Sequence, residues 1–141
     1  MSTDSSKLAS LKTYMLIAFI FNIIAMIAFL LGGIWQIYAG ATVSSYLGYW
    51  GYAAGWGTGT IIVGIVFLVL GGFSLFIFFT RIRKMYTAVN VGDVATLKSL
   101  NNMMWAILAL IFAGVLPGIM LLISFGPINE LGQGPPPPPP T

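Results

Sequence analysis

The chain has 141 residues, of which 58% are hydrophobic and 6% charged, and its formal net charge of +3 comes from six Lys or Arg and three Asp or Glu. Soluble domains carry about a quarter charged residues, so this composition excludes an ordinary water-facing surface and points to lipid as the solvent. Six cations are too few to suggest a nucleic-acid partner, and with no Cys and no His the chain lacks disulfides and the usual ligands of zinc and haem.

Residues 1–12 form a short polar segment with Asp4, Lys7 and Lys12. From Thr13 to Thr80 there is no charge at all. A spanning helix needs about 20 apolar residues, so this stretch holds two spans. The break falls at Ala39–Gly59, where Gly, Ser, Thr and aromatics replace Ile and Leu. We therefore expect span one over residues 14–38 and span two over 60–79. Basic residues ahead of an apolar run, with Ala39-Gly40-Ala41 behind it, also fit a secretory signal, but this run exceeds the roughly 7–15 residues of a signal core.

A second charged island holds Arg81, Arg83, Lys84, Asp93 and Lys98. Ile82, Met85, Tyr86 and Val89 recur at helical spacing, which extends span two as an amphipathic helix. Asn90-Val91-Gly92-Asp93 then reads as a turn, with Gly92 at positive φ and Asp93 as the N-cap of the next helix. Span three is expected over 103–124, with a kink at Pro117. Spans two and three form a helical hairpin in this reading. The fold class is all-α: a three-helix transmembrane domain over 13–131, followed by a proline-rich tail over 132–141. Six prolines, Pro135 to Pro140, make that tail an extended polyproline rod.

With three crossings, all six cations fall on one side. The positive-inside rule then puts the amino terminus and second loop in the cytoplasm, and the first loop and carboxyl terminus outside.

Each span carries small or polar residues suited to close helix packing. The candidates are Asn22 and Gly32 in span one, Gly64 and Gly71 in span two, and Gly114 and Gly118, spaced as GxxxG, in span three. They serve packing within the chain or against another membrane subunit or a second copy. Asn22 is the strong polar side chain deep in a span and calls for an interhelical hydrogen bond. Tyr46, Tyr49, Trp50 and Trp56 crowd the first loop, where such rings anchor at the headgroup level. Arg81, Arg83 and Lys84 are candidates for contact with anionic lipid headgroups.

No ionisable residue lies within a span, which argues against a proton-coupled carrier. The carboxylates Asp4, Asp93 and Glu130 are far apart in sequence and form no acid/base pair, and any Ser or Tyr nucleophile lacks a His. We expect no catalytic residues, no cofactor and no metal.

Arg83-Lys84-Met85, Val91-Gly92-Asp93-Val94, Leu100-Asn101 and Trp105-Ala106-Ile107-Leu108 together resemble the cytoplasmic loop of dispanin-type proteins. That loop also carries a basic cluster, a Gly-Asp turn and an apolar span in this order. The resemblance implies a role in membrane remodelling or fusion control. This chain departs from the family in its three expected spans, its lack of Cys and a proline run at the opposite end. As a whole it is similar to small multi-span prokaryotic membrane proteins, a likeness that implies no particular activity. The expected function is a non-catalytic accessory or scaffold subunit of a membrane complex. The alternatives are an oligomeric channel or small-molecule permease, and dispanin-like remodelling.

Overall fold

The computed structural model describes residues 2–47, 54–112, 114–132 and 140, and every element among them is helical. In chain order these are α1 (Ser2–Leu47), α2 (Ala54–Ile77), a π-helical turn (Phe78–Ile82), α3 (Arg83–Val91), α4 (Val94–Leu100), α5 (Met103–Phe112) and α6 (Val115–Glu130). The first proline of the chain is Pro117, so nothing interrupts the early backbone ladder and α1 runs unbroken for 46 residues. The π turn joins α2 to α3 without a break. At 1.5 Å per residue, α1 is about 69 Å long and α2–α3 about 57 Å. Both are long and apolar enough to cross a membrane, and both overshoot a hydrocarbon core of about 30 Å.

α1 and α2 pack antiparallel through glycine. A Cβ built on Gly64 would lie 2.7 Å from the Gly33 carbonyl oxygen, and one on Gly40 would lie 2.6 Å from the Gly57 carbonyl oxygen. Gly57 faces the Ser44 hydroxyl just as tightly, and Gly71 meets Leu30 at 2.7 Å. Gly33 and Gly40 are seven residues apart, as are Gly57, Gly64 and Gly71, so each set stays on one seam over successive turns. Lipid supplies no hydrophobic drive between helices, and close backbone approach replaces it with dispersion contact. Gly64 and Gly71 thus pack as expected. Gly32 does not sit on the seam: a Cβ there would meet only the Phe67 ring, at 3.4 Å. Its neighbour Gly33 is the buried one.

The stretch expected as a third crossing, 103–124, is divided between two shorter helices, and two helices are long and apolar enough to cross a membrane, or three if the bent pair α4–α5 is one span. α5 and α6 have 10 and 16 residues, about 15 Å and 24 Å, and neither equals a full span. The chain reverses at Gly114, whose φ of 105° only glycine adopts without strain. The two helices then run antiparallel, with Gly118 pressed on the Leu110 backbone. At the base, Asn101 Nδ2 donates to the Phe125 carbonyl at 2.9 Å and to Asn129 Oδ1 at 3.0 Å. Pro117 does not kink a span. It occupies the first turn of α6, where a missing N–H costs no helical bond.

The hairpin packs against one half of the long pair. Its tip sits by Ala25 and Phe73: a Cβ on Gly114 would lie 3.6 Å from the Ala25 Cβ, and Phe112 stacks on Phe73 at 4.7 Å. Its base reaches the start of α1, where Lys7 Nζ lies 2.7 Å from Glu130 Oε2. The end of α6 and the beginning of α1 therefore share one end of the molecule. The buried apolar side chains confirm the asymmetry. Leu11, Met15, Ala18, Ile77, Ile82, Met85, Val89, Leu97, Ala106, Ala109, Leu121 and Ile128 all belong to the half that the hairpin covers. Beyond it, α1 and α2 are a two-helix pair held by glycine contacts and an edge-on Phe29–Phe67 pair at 5.7 Å.

The glycine seam makes a sharp prediction. Gly64→Val should force the long helices apart and lower stability by about 1–3 kcal/mol, read as a lower Tm in mild detergent. Gly72→Val, one residue beyond the seam glycine Gly71 and with open space around its Cβ position, should leave the Tm nearly unchanged.

Candidate functional site at the basic end of the helices

At the end of α2 the helix widens by one residue. The Arg83 N–H donates to the Phe78 carbonyl across the π turn. Arg81 and Arg83, two residues and about 200° apart, point to nearly opposite sides, and the three neighbouring cations part company here. Arg81 is half-buried and turned inward, its guanidinium 4.6 Å from the centre of the Trp105 ring and 3.5 Å from the Leu100 carbonyl. It clamps the α5 hairpin to the long helix. Arg83 and Lys84 are exposed. Arg83 passes over the Phe79 ring at 5.8 Å.

α3 is amphipathic as expected, with Met85, Ala88 and Val89 buried and Tyr86 stacked on Phe19 at 4.7 Å. It ends at Gly92, which takes a left-handed φ of 74°. Asp93 then caps α4: its Oδ1 accepts from the Thr96 N–H at 3.0 Å and its Oδ2 from the Thr96 hydroxyl at 2.6 Å. The Thr96 hydroxyl, and after it the Thr96 backbone N–H, hold the Asp93 carboxyl below its ordinary value. Between α3 and the start of α4 lies an open groove of about 360 Å³, lined by Phe79, Arg83, Lys84, Thr87, Ala88, Val91, Asp93 and Thr96.

The other cations of this end are Lys7, paired with Glu130, and the exposed Lys12 and Lys98. Glu130 belongs to the same end as Asp93, but each carboxylate is engaged separately, one by Lys7 and one by Thr96.

Asn22 lies farther along the bundle, fully buried between α1 and α2. Its Nδ2 donates to the Ser74 hydroxyl at 3.2 Å, the interhelical bond its position called for. Its Oδ1 is buried and has no protein partner.

At the far end, Tyr46 and Trp56 are 78% and 80% exposed, while Tyr49 and Trp50 fall outside the described residues. Trp56 lines a shallow groove of about 660 Å³ with Gln36, Gly55, Gly59, Thr60 and Val63. Sequence reasoning passed over Gln36, although an amide near the end of a largely apolar run is legible as a polar marker of where the span ends.

Two measurements bear on these side chains. The Asp93 cap stabilises the folded chain above the ordinary carboxylate pKa of 3.8, and this contribution disappears as pH falls through the lower folded value. The Tm difference between wild type and Asp93→Ala should therefore be present at neutral pH and vanish in strong acid. If the Asn22–Ser74 pair is structural, Asn22→Leu combined with Ser74→Ala should stay within about 1 kcal/mol of wild type by detergent unfolding, because donor and acceptor leave together.

No family model, no curated protein and no solved structure matches this chain, and the dispanin likeness therefore stands on the short local pattern by itself.

Proposed function

We propose that the chain is a non-catalytic subunit of a membrane assembly, held by two crossings, α1 and α2–α3, and by the α5–α6 hairpin, which enters the bilayer and returns. The observation that carries this reading is the hairpin tip. Ala25 is one residue from the middle of the apolar run 14–38, so a tip beside Ala25 stands near the bilayer centre. The chain reverses there at Gly114, which gives α6 no side-chain cap, and Val115 is 63% exposed. Irregular backbone at that depth is tolerated only against protein or a water-filled cavity, because hydrocarbon offers its polar groups no partner. A protein neighbour over the tip supplies the missing cover. The exposed apolar faces of the outer half, including Leu31, Ile34, Trp35 and Ile62, extend the same surface.

With two crossings, both ends of the chain share one side of the membrane. All six cations cluster on that side, and the positive-inside rule makes it the cytoplasm. Gly132 then lies on the cytoplasmic face.

A second reading, an oligomeric channel, draws on the same tip, with water in place of a neighbour. The natural absence of Cys makes one experiment decisive. Val115→Cys, in native membranes, should resist a water-soluble maleimide and form a crosslink to another polypeptide, of this or a different sequence. Free labelling without a crosslink would favour the channel and reject the subunit reading. On sidedness, Gly132→Cys should react only from the cytoplasmic face.

A further inference from the structure

The two outward cations at the start of α3 sit on a ridge built for one kind of ligand. Phe79, Arg83, Thr87 and Val91 follow one another at four-residue spacing and are all exposed. Such residues form one inclined row along a helix. Phe79 lies at the end of the uncharged stretch, and Arg83 and Lys84 follow where that stretch gives way to charge. In the membrane reading above, the row passes from hydrocarbon into the headgroup layer.

The charges nearby separate those already engaged from those that are not. Arg81 is occupied by Trp105 and the Leu100 carbonyl, and Lys7 by Glu130. Among the described residues, the charged groups of Arg83 and Lys84 have no ion-pair or hydrogen-bond partner. The one carboxylate in the groove, Asp93, has both oxygens turned to Thr96, so it is held as a helix cap and away from the two cations. What remains is a pair of free cations beside an aromatic wall.

We propose that this groove binds an anionic phospholipid, its phosphate between Arg83 and Lys84 and its acyl chain along Phe79. Arg supplies a planar fork of donors that matches a phosphate, and Lys a mobile point charge. Phe79 offers apolar surface directly below them. The proposal rests on the membrane placement argued above, but not on what covers the hairpin tip.

The test is titration of the detergent-purified full chain with phosphatidylglycerol or phosphatidylcholine, read by native mass spectrometry. Wild type should bind phosphatidylglycerol in preference. Arg83→Gln with Lys84→Gln should weaken that binding roughly thirtyfold, taking about 1 kcal/mol for each cation near a lipid surface. Lys12→Gln with Lys98→Gln removes equal charge from the same end and should leave it nearly intact. Equal losses in the two double variants would mean diffuse attraction without a site, and no loss in either would also overturn the proposal. Phe79→Ala should weaken the diacyl lipid but not glycerol phosphate, which lacks a chain. If glycerol phosphate binds as tightly as the lipid, the acyl part of the site is wrong. Each variant is first checked for an unchanged Tm, and Lys84→Gln alone, at an exposed side chain, serves if the double variant unfolds. A protein that partitions into the soluble fraction without detergent would defeat the membrane reading itself, whereas an integral protein indifferent to Arg83 and Lys84 defeats only the lipid site.

Discussion

The backbone-to-backbone approach of α1 and α2 sets the terms for the rest of the molecule. At Gly33 against Gly64 and Gly40 against Gly57 there is no room for a Cβ. The two long helices are therefore locked in register along their outer halves, and that register carries into the inner half, where Asn22 meets Ser74 and Phe19 meets Phe78 at 5.1 Å. A seam of glycine also consumes no side-chain volume. It leaves the bulky residues of α1 and α2 to point outward, which is why the outer half has broad apolar faces and no side-chain core of its own.

The inner half solves a different problem. Its core is built from side chains, and the pieces that close it are polar. Arg81 reaches Trp105 and the last carbonyl of α4, and Asn101 ties the start of α5 to the end of α6. Both contacts lie at the basic end, where water is near and a polar bond has alternatives. Among the described residues the fully buried polar side chains are Asn22, its partner Ser74, and Ser124, whose hydroxyl donates to the Met120 carbonyl. At about 100° per residue Arg81 and Arg83 fall on nearly opposite sides of the helix, which divides the Arg81–Lys84 cluster between an inward clamp and an outward face.

Much of this was legible in the amino-acid order where local chemistry decides the outcome. The two long apolar helices, the amphipathic extension through Val89, the left-handed Gly92 and the Asp93 cap follow from hydropathy, helical period and turn preference. The seam was legible only in part. Gly64 and Gly71 stood out, but Gly33, Gly40 and Gly57 join them by a seven-residue repeat, which gains meaning only when two helices are placed face to face. Gly32, against the Phe67 ring, and Gly33, on the seam, are one residue and about 100° of rotation apart, and nothing local distinguishes adjacent glycines. The reversal at Gly114 was hidden for a related reason. Hydropathy over 103–124 is the same whether the chain crosses or folds back, and Pro117, the visible irregularity, drew attention from the glycine three residues earlier.

That ambiguity reaches the question of sidedness. No cation follows Lys98 in the chain, so the positive-inside rule constrains residues up to that lysine and is silent about everything after it. An outside carboxyl terminus followed from counting crossings, never from charge. In the two-crossing reading proposed above, the last apolar stretch folds back on itself and the count is even, with every cation where it was. The Lys7–Glu130 contact fits the even count, because an ion pair across the first and last helices requires both ends at one level. Exposed as it is, that pair contributes little to stability. Its value is geometric: it joins α6 to α1 at the basic end.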